Sequence, residues 1–280
     1  MKYWLNIGFL EVEQLAPMAI AAERIGFTGV TLPDHLFFPE QIASSYPYSD
    51  DGSVTWSADS PWPDCWVTIG ALSQVTTTLQ FSTGVFIAPL RDPFNLAKAV
   101  GTASLLSGGR VSCGFGTGWL KEEFDVLGVD FGSRGKRFDE LLAVLRLLWS
   151  GEMVEFHGEH FAFDKIQMCP PAGDVPILIG GNTGPARKRA ARNDGWIGSH
   201  KSVEETTRLV GLLNEERAAA GRLDVPFEIG VTGGFKAARD AEQLAAVGVE
   251  AITVSARALT PSSDLGDRIA ALEQLSARFI

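Results

Sequence analysis

Short apolar runs alternate with longer stretches of helical periodicity along almost the whole chain. The run at 110–115 has Val111, Cys113 and Phe115 at period two, which is typical of a strand. The stretch at 134–149 has its apolar residues three and four positions apart, which predicts a helix. Predicted strands lie at 3–9, 29–32, 79–87, 110–115, 175–180, 195–199, 227–231 and 251–255. Predicted helices lie at 12–24, 65–74, 93–106, from 120 onward, and at 134–149, 185–193, 203–220, 237–247 and 264–279.

Eight strand–helix units in 280 residues favour an α/β fold that is a single (β/α)8 TIM barrel. We predict one domain, 1–280, with a long loop after strand two (36–63) and an insertion after the strand-four helices (152–173). An open doubly wound sheet remains the alternative. A dinucleotide-binding interpretation is weaker, because the glycines at 114–118 have the spacing GxGxG and not GxGxxG, and too many strand–helix units precede them.

Charge and cysteine content exclude several classes of function. The net charge of −10 and the pI near 4.9 argue against binding to nucleic acid or to an anionic membrane surface. Cys65, Cys113 and Cys169 are far apart and form no CxxC, so we expect neither a disulfide framework nor a zinc site, and Cys113 should be a core residue. The segment 157–160 lacks the HExxH spacing, so we predict no metal. No signal peptide or membrane-spanning run is visible, which points to the cytoplasm.

In a barrel of this kind, active-site residues gather at the carboxyl ends of the strands. This rule selects Asp34 and His35, the segment 84–88, the segment 116–119, the segment 180–182, and Ser199 with His200. The set has little positive charge and much glycine, which suits a large, flat, partly apolar cofactor held by backbone contacts. The loop at 36–63 is rich in aromatic residues, which favours an active-site cover.

Six motifs then make the chain resemble the luciferase-like monooxygenase superfamily, and within it the branch that uses the deazaflavin coenzyme F420 in place of FMN. The motifs are Asp34-His35, STGVFIAPLRDP (82–93), LSGGR-x5-GTGW (106–119), RFDELLAVLRLLW (137–149), PILIGGN (176–182) and DGWIGS (194–199). The resemblance covers essentially the whole chain and implies the barrel fold.

The resemblance also implies roles for individual residues. Gly84–Val85 matches the non-prolyl cis peptide whose bulge supports the tricyclic ring. His35 matches the histidine beside the reacting ring carbon, where it can give or take a proton. Asp34 is expected to set the tautomer of His35 or to bond the ring edge. The alternative is that Asp34 and His35 are structural residues at the start of a loop.

The remaining matches concern the cofactor tail and the pocket wall. Gly180, Gly181 and Asn182 match the loop that binds the phosphate and tail, and Ser199 and His200 match the next loop of the same site, although His200 is equally an ordinary loop histidine. The full predicted cofactor-binding set is Gly84, Val85, Ile87, Gly116, Thr117, Gly118, Trp119, Gly180, Gly181, Asn182, Ser199 and His200.

Trp119 departs from one part of the superfamily. Some sugar-phosphate dehydrogenases carry a catalytic acid in the matching GTG-x position, whereas Trp119 here suggests an aromatic wall to the pocket. Glu122 and Glu123 follow one turn later. We predict them to be surface charges of a helix, and the alternative is that they replace this acid.

The resemblance implies an F420-dependent oxidoreductase that transfers a hydride between the deazaflavin C5 and a small organic substrate. One alternative is an FMN-dependent monooxygenase that uses a reductase-supplied reduced flavin and O2. A second is a noncatalytic cofactor-binding barrel. The resemblance also implies a homodimer, whose natural interface is formed by the apolar helices around strands one to three.

Overall fold

The structure is a computed structural model that describes residues 1–49 and 51–279, with the backbone alone at Phe235. Its strands are β1 (Lys2–Asn6), β2 (Gly29–Leu32), β3 (Gln80–Thr83), β4 (Phe86–Ile87), β5 (Cys113–Gly116), β6 (Met153–His157), β7 (Ala162–Gln167), β8 (Ile177–Gly180), β9 (Gly195–Ser199), β10 (Glu228–Thr232) and β11 (Ala251–Ser255). Its helices are α1 (Val12–Ile25), α2 (Cys65–Ser73), α3 (Pro93–Leu106), α4 (Lys121–Val126), α5 (Arg134–Trp149), α6 (Gly184–Ala190), α7 (Val203–Ala219), α8 (Gly234–Arg239), α9 (Ala241–Ala246) and α10 (Leu265–Phe279).

Nine strands form one parallel sheet in the order β3-β2-β1-β11-β10-β9-β8-β5-β4. β3 and β4 are the two halves of predicted strand three, and β4 pairs with β5 through Phe86 and Ile87. A parallel β-bridge between Phe81 of β3 and Val111, two residues before β5, joins the first half of predicted strand three to predicted strand four as well. The two ends of the sheet therefore meet, which confirms the predicted (β/α)8 barrel and rules out the open doubly wound sheet. The carboxyl ends of its strands gather at one end, which we call the barrel mouth.

Two predicted strands end or break at the mouth, and local contacts explain why. β1 stops at Asn6, because the side chain of Asn6 accepts the N–H of Gly8 at 2.8 Å and Phe9 takes a left-handed backbone conformation with φ +64°. Predicted strand three is interrupted between Gly84 and Val85, where the peptide bond is cis. This is the position that the resemblance implies.

The core lies between the barrel and its ring of helices, and its largest fully buried side chains include Phe81, Phe115, Trp149 and Trp196. Cys113 is also fully buried, as expected from its place in a strand. All three cysteines are free. Within residues 1–49 and 51–279, no helix combines the length and the apolar character needed to cross a bilayer.

Two polar side chains secure the turn that leads into β3. The carboxylate of Glu23 accepts the backbone N–H groups of Thr77, Thr78 and Leu79 at 2.6–2.8 Å. Although burial acts in the opposite direction, these hydrogen bonds lower the pKa of Glu23 to about 2. The guanidinium of Arg110 donates to four backbone carbonyls and one hydroxyl around the same turn.

The insertion is an antiparallel hairpin of β6 and β7 that packs on two helices. The ring of Phe163 lies 5.3 Å from that of Phe94 of α3. Glu140 of α5 accepts the N–H groups of Glu159, His160 and Phe161. The insertion is therefore fastened to α3 and α5.

Candidate active site

His35 follows β2 at the mouth and is paired with a buried carboxylate. Its Nδ1 lies 2.9 Å from Oε2 of Glu123, and the other carboxylate oxygen accepts the N–H of Leu36 at 2.7 Å. The Glu123 side chain is fully buried and that of His35 is only 8% exposed. Because an ionised carboxylate only accepts hydrogen bonds, Nδ1 carries the proton that joins the pair. Nε2 is then the nitrogen able to exchange a proton with a bound molecule.

The prediction that Glu123 is a surface charge is wrong. Leu120, Glu123 and Phe124 are three and four positions apart and share the buried face of α4. That spacing is the signal in the sequence that would have identified Glu123. Its neighbour Glu122 is partly exposed and accepts hydrogen bonds from the 43–44 segment of the long loop.

Asp34 uses its carboxylate to join the ends of two strands. It accepts two hydrogen bonds from Arg91, at 2.7 and 2.9 Å, and the N–H of Ile87 at 2.9 Å. Burial raises the pKa of Asp34 above its ordinary value, while Arg91 and the N–H of Ile87 act in the opposite direction. The tautomer-setting role that was one expectation for Asp34 therefore falls to Glu123, and Asp34 positions the end of β4.

The predicted cofactor floor is built from Val85 and glycines of neighbouring strands. A Cβ at Gly116 would lie 2.7 Å from Val85 Cγ2, and one at Gly180 would lie 2.6 Å from Val85 Cγ1. At Gly118, where φ is +79°, a Cβ would lie 2.7 Å from Ile87 Cγ2. Any larger residue would displace Val85 at the first two positions and Ile87 at the third, so the glycines keep this part of the mouth flat.

The predicted tail-binding loops after β8 and β9 lie side by side. The side-chain amide of Asn182 both donates to and accepts from the backbone of Ser199, with both distances 3.0 Å. The indole N–H of Trp196 donates to the carbonyl of Gly181 at 2.8 Å. The two loops therefore form one rigid unit, and the Asn182 side chain holds the loops together.

His200 is buried and its ring nitrogens are both engaged. Nδ1 lies 2.8 Å from Thr206 Oγ1, and Nε2 lies 3.0 Å from Asp240 Oδ2. These contacts join the end of β9 to α7 and to the junction of α8 and α9, which are the two halves of the helix predicted at 237–247. The ring of His200 is therefore structural. Its backbone N–H donates to the carbonyl of Thr232 at 2.7 Å, so only its carbonyl oxygen is left for the predicted cofactor contact.

An aromatic cluster surrounds His35. Its rings belong to Phe9, Tyr46, Trp56, Trp62 and Trp119. The centroids of Trp56, Trp62 and Trp119 lie 5.3, 4.9 and 5.8 Å from that of the imidazole. The sequence indicated that the long loop carries aromatic residues and that Trp119 is a wall, and the structure brings both to the same histidine.

Comparison with known proteins identifies the family. The family model described as "Luciferase-like monooxygenase" matches residues 10–277, so the chain belongs to that family. An uncharacterized protein of Mycobacterium tuberculosis is 39% identical over 216 residues, which cover 77% of this chain and 75% of that protein. The F420-dependent glucose-6-phosphate dehydrogenase of Nakamurella multipartita is 34% identical over 221 residues, which cover 75% of this chain and 60% of that protein.

Solved structures of the same fold include both F420 and FMN proteins. An F420-dependent secondary alcohol dehydrogenase in complex with an F420–acetone adduct has a TM-score of 0.77 at 18% identity, covering 99% of this chain and 100% of that chain. The oxygenating constituent of 3,6-diketocamphane monooxygenase from Pseudomonas putida, in complex with FMN, has a TM-score of 0.66 at 16% identity, covering 84% and 67%. The family and its F420-dependent homologues support an oxidoreductase.

Proposed function

We propose that this chain is a cytoplasmic F420-dependent oxidoreductase that transfers a hydride between the deazaflavin C5 and a small organic substrate. The observation that carries the proposal is the buried His35–Glu123 pair at a mouth whose floor is Val85 flanked by glycines. The relatives with F420-dependent activities support the choice of coenzyme.

The residues at the mouth fit a flat tricyclic ring. Val85 packs where Cβ atoms of Gly116 and Gly180 would otherwise lie, which leaves a smooth apolar floor. Backbone N–H groups in the loop after β8, from Asn182 onward, would hold the phosphate and tail, since those of Gly181 and Ser199 already donate to the carbonyl of Ile197 and to the side chain of Asn182. When bound, the deazaflavin supplies or takes up the hydride.

The chain's own contribution is orientation and proton transfer. Glu123 holds Nδ1–H of His35, so Nε2 is free to accept or donate the proton that accompanies the change in the substrate. Asp34 and Arg91 stay paired with each other and keep the ends of β2 and β4 together. The Arg91 guanidinium also compensates the buried negative charge of Asp34.

Equilibrium binding of the purified protein to F420 and to FMN in parallel tests the proposal. We expect micromolar binding of F420 and none of FMN, read from quenching of tryptophan fluorescence. His35→Ala should keep F420 binding and lose turnover, whereas His157→Ala, on the exposed face of the insertion hairpin, should keep both. Loss of F420 binding in the His35 variant would remove the basis for its proton-transfer role.

The FMN-dependent monooxygenase is the second candidate, because a structure of the same fold holds FMN. Such an enzyme would bind reduced FMN and consume O2 with its substrate. Binding of FMN alone, with oxygen-dependent turnover, would therefore replace the first proposal. If neither coenzyme binds, the noncatalytic barrel would be favoured.

We also propose that the chain forms a homodimer through α2 and the end of α3. Val67, Val75, Leu105 and Leu106 are 74%, 48%, 49% and 53% exposed in this region, and such apolar side chains favour a contact surface. Sedimentation should give a dimer, and Val67→Glu together with Leu106→Glu should give a monomer. A wild-type monomer would contradict the proposal.

A further inference from the structure

Trp56 is the centre of the aromatic cluster around His35. Its ring lies 5.3 Å from His35 at an interplanar angle of only 32°, whereas Trp62 and Trp119 meet His35 edge-on at 86° and 80°. Trp56 also contacts Phe9 at 5.9 Å. Among the three indoles that contact His35, Trp56 is therefore the one whose plane is closest to that of the imidazole, and the other two are set edge-on.

The charged groups near this cluster are already engaged. Glu123 is bonded to His35 and to Leu36, and Asp34 is bonded to Arg91. The guanidinium of Arg257, an exposed residue, lies over the outer ring of the cluster, with its Cζ 5.3 Å from the centroid of Phe9. A second cation would be repelled by Arg257, and an anionic group deep in the cluster would face aromatic rings and the buried carboxylate of Glu123.

We infer that the substrate of this site is a flat, uncharged, conjugated ring compound that replaces Trp56 against His35. The inference rests on the proposed function and adds the substrate class to it. Trp56 belongs to the long loop after β2, which also supplies Tyr46 and Trp62. The loop therefore places a flat aromatic ring of its own against His35, and a substrate that takes its place would share that shape and polarity.

Physical reasons favour this class over the sugar phosphate used by one relative. Recognition of a phosphate needs a cation or several N–H donors within hydrogen-bond distance. Arg257 lies over Phe9 at the outer ring of the cluster, whereas the aromatic side chains that contact His35 are indoles. Edge-to-face contacts with a planar guest add to the burial of its apolar surface. A ring hydroxyl would also donate a hydrogen bond to Nε2 of His35, which is the acceptor in the tautomer that Glu123 sets.

The test is calorimetric titration of the F420-saturated protein with three probes: coumarin, glucose 6-phosphate and phenyltrimethylammonium. Coumarin is expected to bind at least tenfold more tightly than the other two. Trp62→Leu and Trp119→Leu should each weaken coumarin binding about three- to tenfold, as expected for the loss of one aromatic contact. Trp119→Phe should restore most of the affinity, and Phe163→Leu, an aromatic of the insertion hairpin that packs on Phe94, should change nothing.

The inference is overturned if either charged probe binds as tightly as coumarin, or if the tryptophan variants bind coumarin like the wild type. It is also overturned if coumarin and F420 displace each other, because coumarin would then occupy the coenzyme's place. The titrations are repeated without F420. Binding of coumarin without any binding of F420 therefore contradicts the proposed function. Binding of F420 without any binding of coumarin contradicts only the substrate class.

Discussion

Replacing Glu123 with glutamine reverses the hydrogen bond to His35 while changing little else. The carboxylate accepts from Nδ1 of His35 at 2.9 Å and from the N–H of Leu36 at 2.7 Å. Glutamine keeps one carbonyl oxygen for Leu36 but presents N–H donors to His35. Its amide would therefore donate to Nδ1, and the ring proton would move to Nε2.

The size of the effect follows from these contacts. A hydrogen bond to a charged group contributes about 1.5–3 kcal/mol, and glutamine replaces both bonds with neutral ones, so we expect Glu123→Gln to lower the free energy of unfolding by about 1–2 kcal/mol. Glu123→Ala leaves two buried donors without a partner and should cost about 3–5 kcal/mol. Activity of the glutamine variant should fall about 10²–10⁴-fold, because His35 would no longer have its proton on the correct nitrogen.

The decisive assay is nitrogen NMR of histidine-labelled protein at pH 7, which distinguishes the two neutral tautomers without any substrate. The chain has four histidines, so His35→Asn assigns the relevant signals. We expect Nδ1–H in the wild type and Nε2–H in Glu123→Gln. The same tautomer in both proteins, or Nε2–H in the wild type, would refute the role assigned to Glu123.

Three further predictions concern stability and are measured by urea unfolding. Gly114→Ala should destabilise the barrel by about 4 kcal/mol or more, because its Cβ would lie 1.8 Å from a backbone carbonyl oxygen of β3, whereas Gly211→Ala, in open space on α7, should stabilise it by about 0.5–1 kcal/mol. Equal effects would contradict the packing seen at the barrel wall. Arg110→Lys should cost about 3 kcal/mol, since one ammonium cannot replace five hydrogen bonds, and a change below about 1 kcal/mol would show that the bonds are redundant. The pKa of Glu23 is lowered from 4.5 to about 2 in the folded state, so its contribution is present above pH 4.5 and is lost as the pH falls toward 2. After allowance for solvent screening, Glu23→Gln should lower stability by about 1 kcal/mol at pH 7 and have no effect near pH 2, and a pH-independent difference would contradict this.

The barrel was predictable because its signal is local and repeated. Each strand is a short apolar run and each helix has its own periodicity, and β2, β9, β11, α3 and α5 have the predicted bounds. Eight consecutive strand–helix units are then compatible with only a few chain topologies. Because the carboxyl ends of parallel strands lie together, the sequence also predicts that His35 and the glycines of the floor share one end of the barrel.

The contacts that give these residues their roles depend on the tertiary structure. Glu123 has an ordinary place on a short helix, and it becomes the partner of His35 only because the buried face of α4 packs under the start of the loop after β2. His200 has its ring buried between Thr206 and Asp240, which the sequence places far apart. Trp56 lies in a long loop without periodicity, so its contact with His35 is visible only in three dimensions. Local pattern specifies which face of an element is apolar, but the partner of a polar or loop side chain is chosen by packing between distant segments, because only there is the free energy of burial and hydrogen bonding decided.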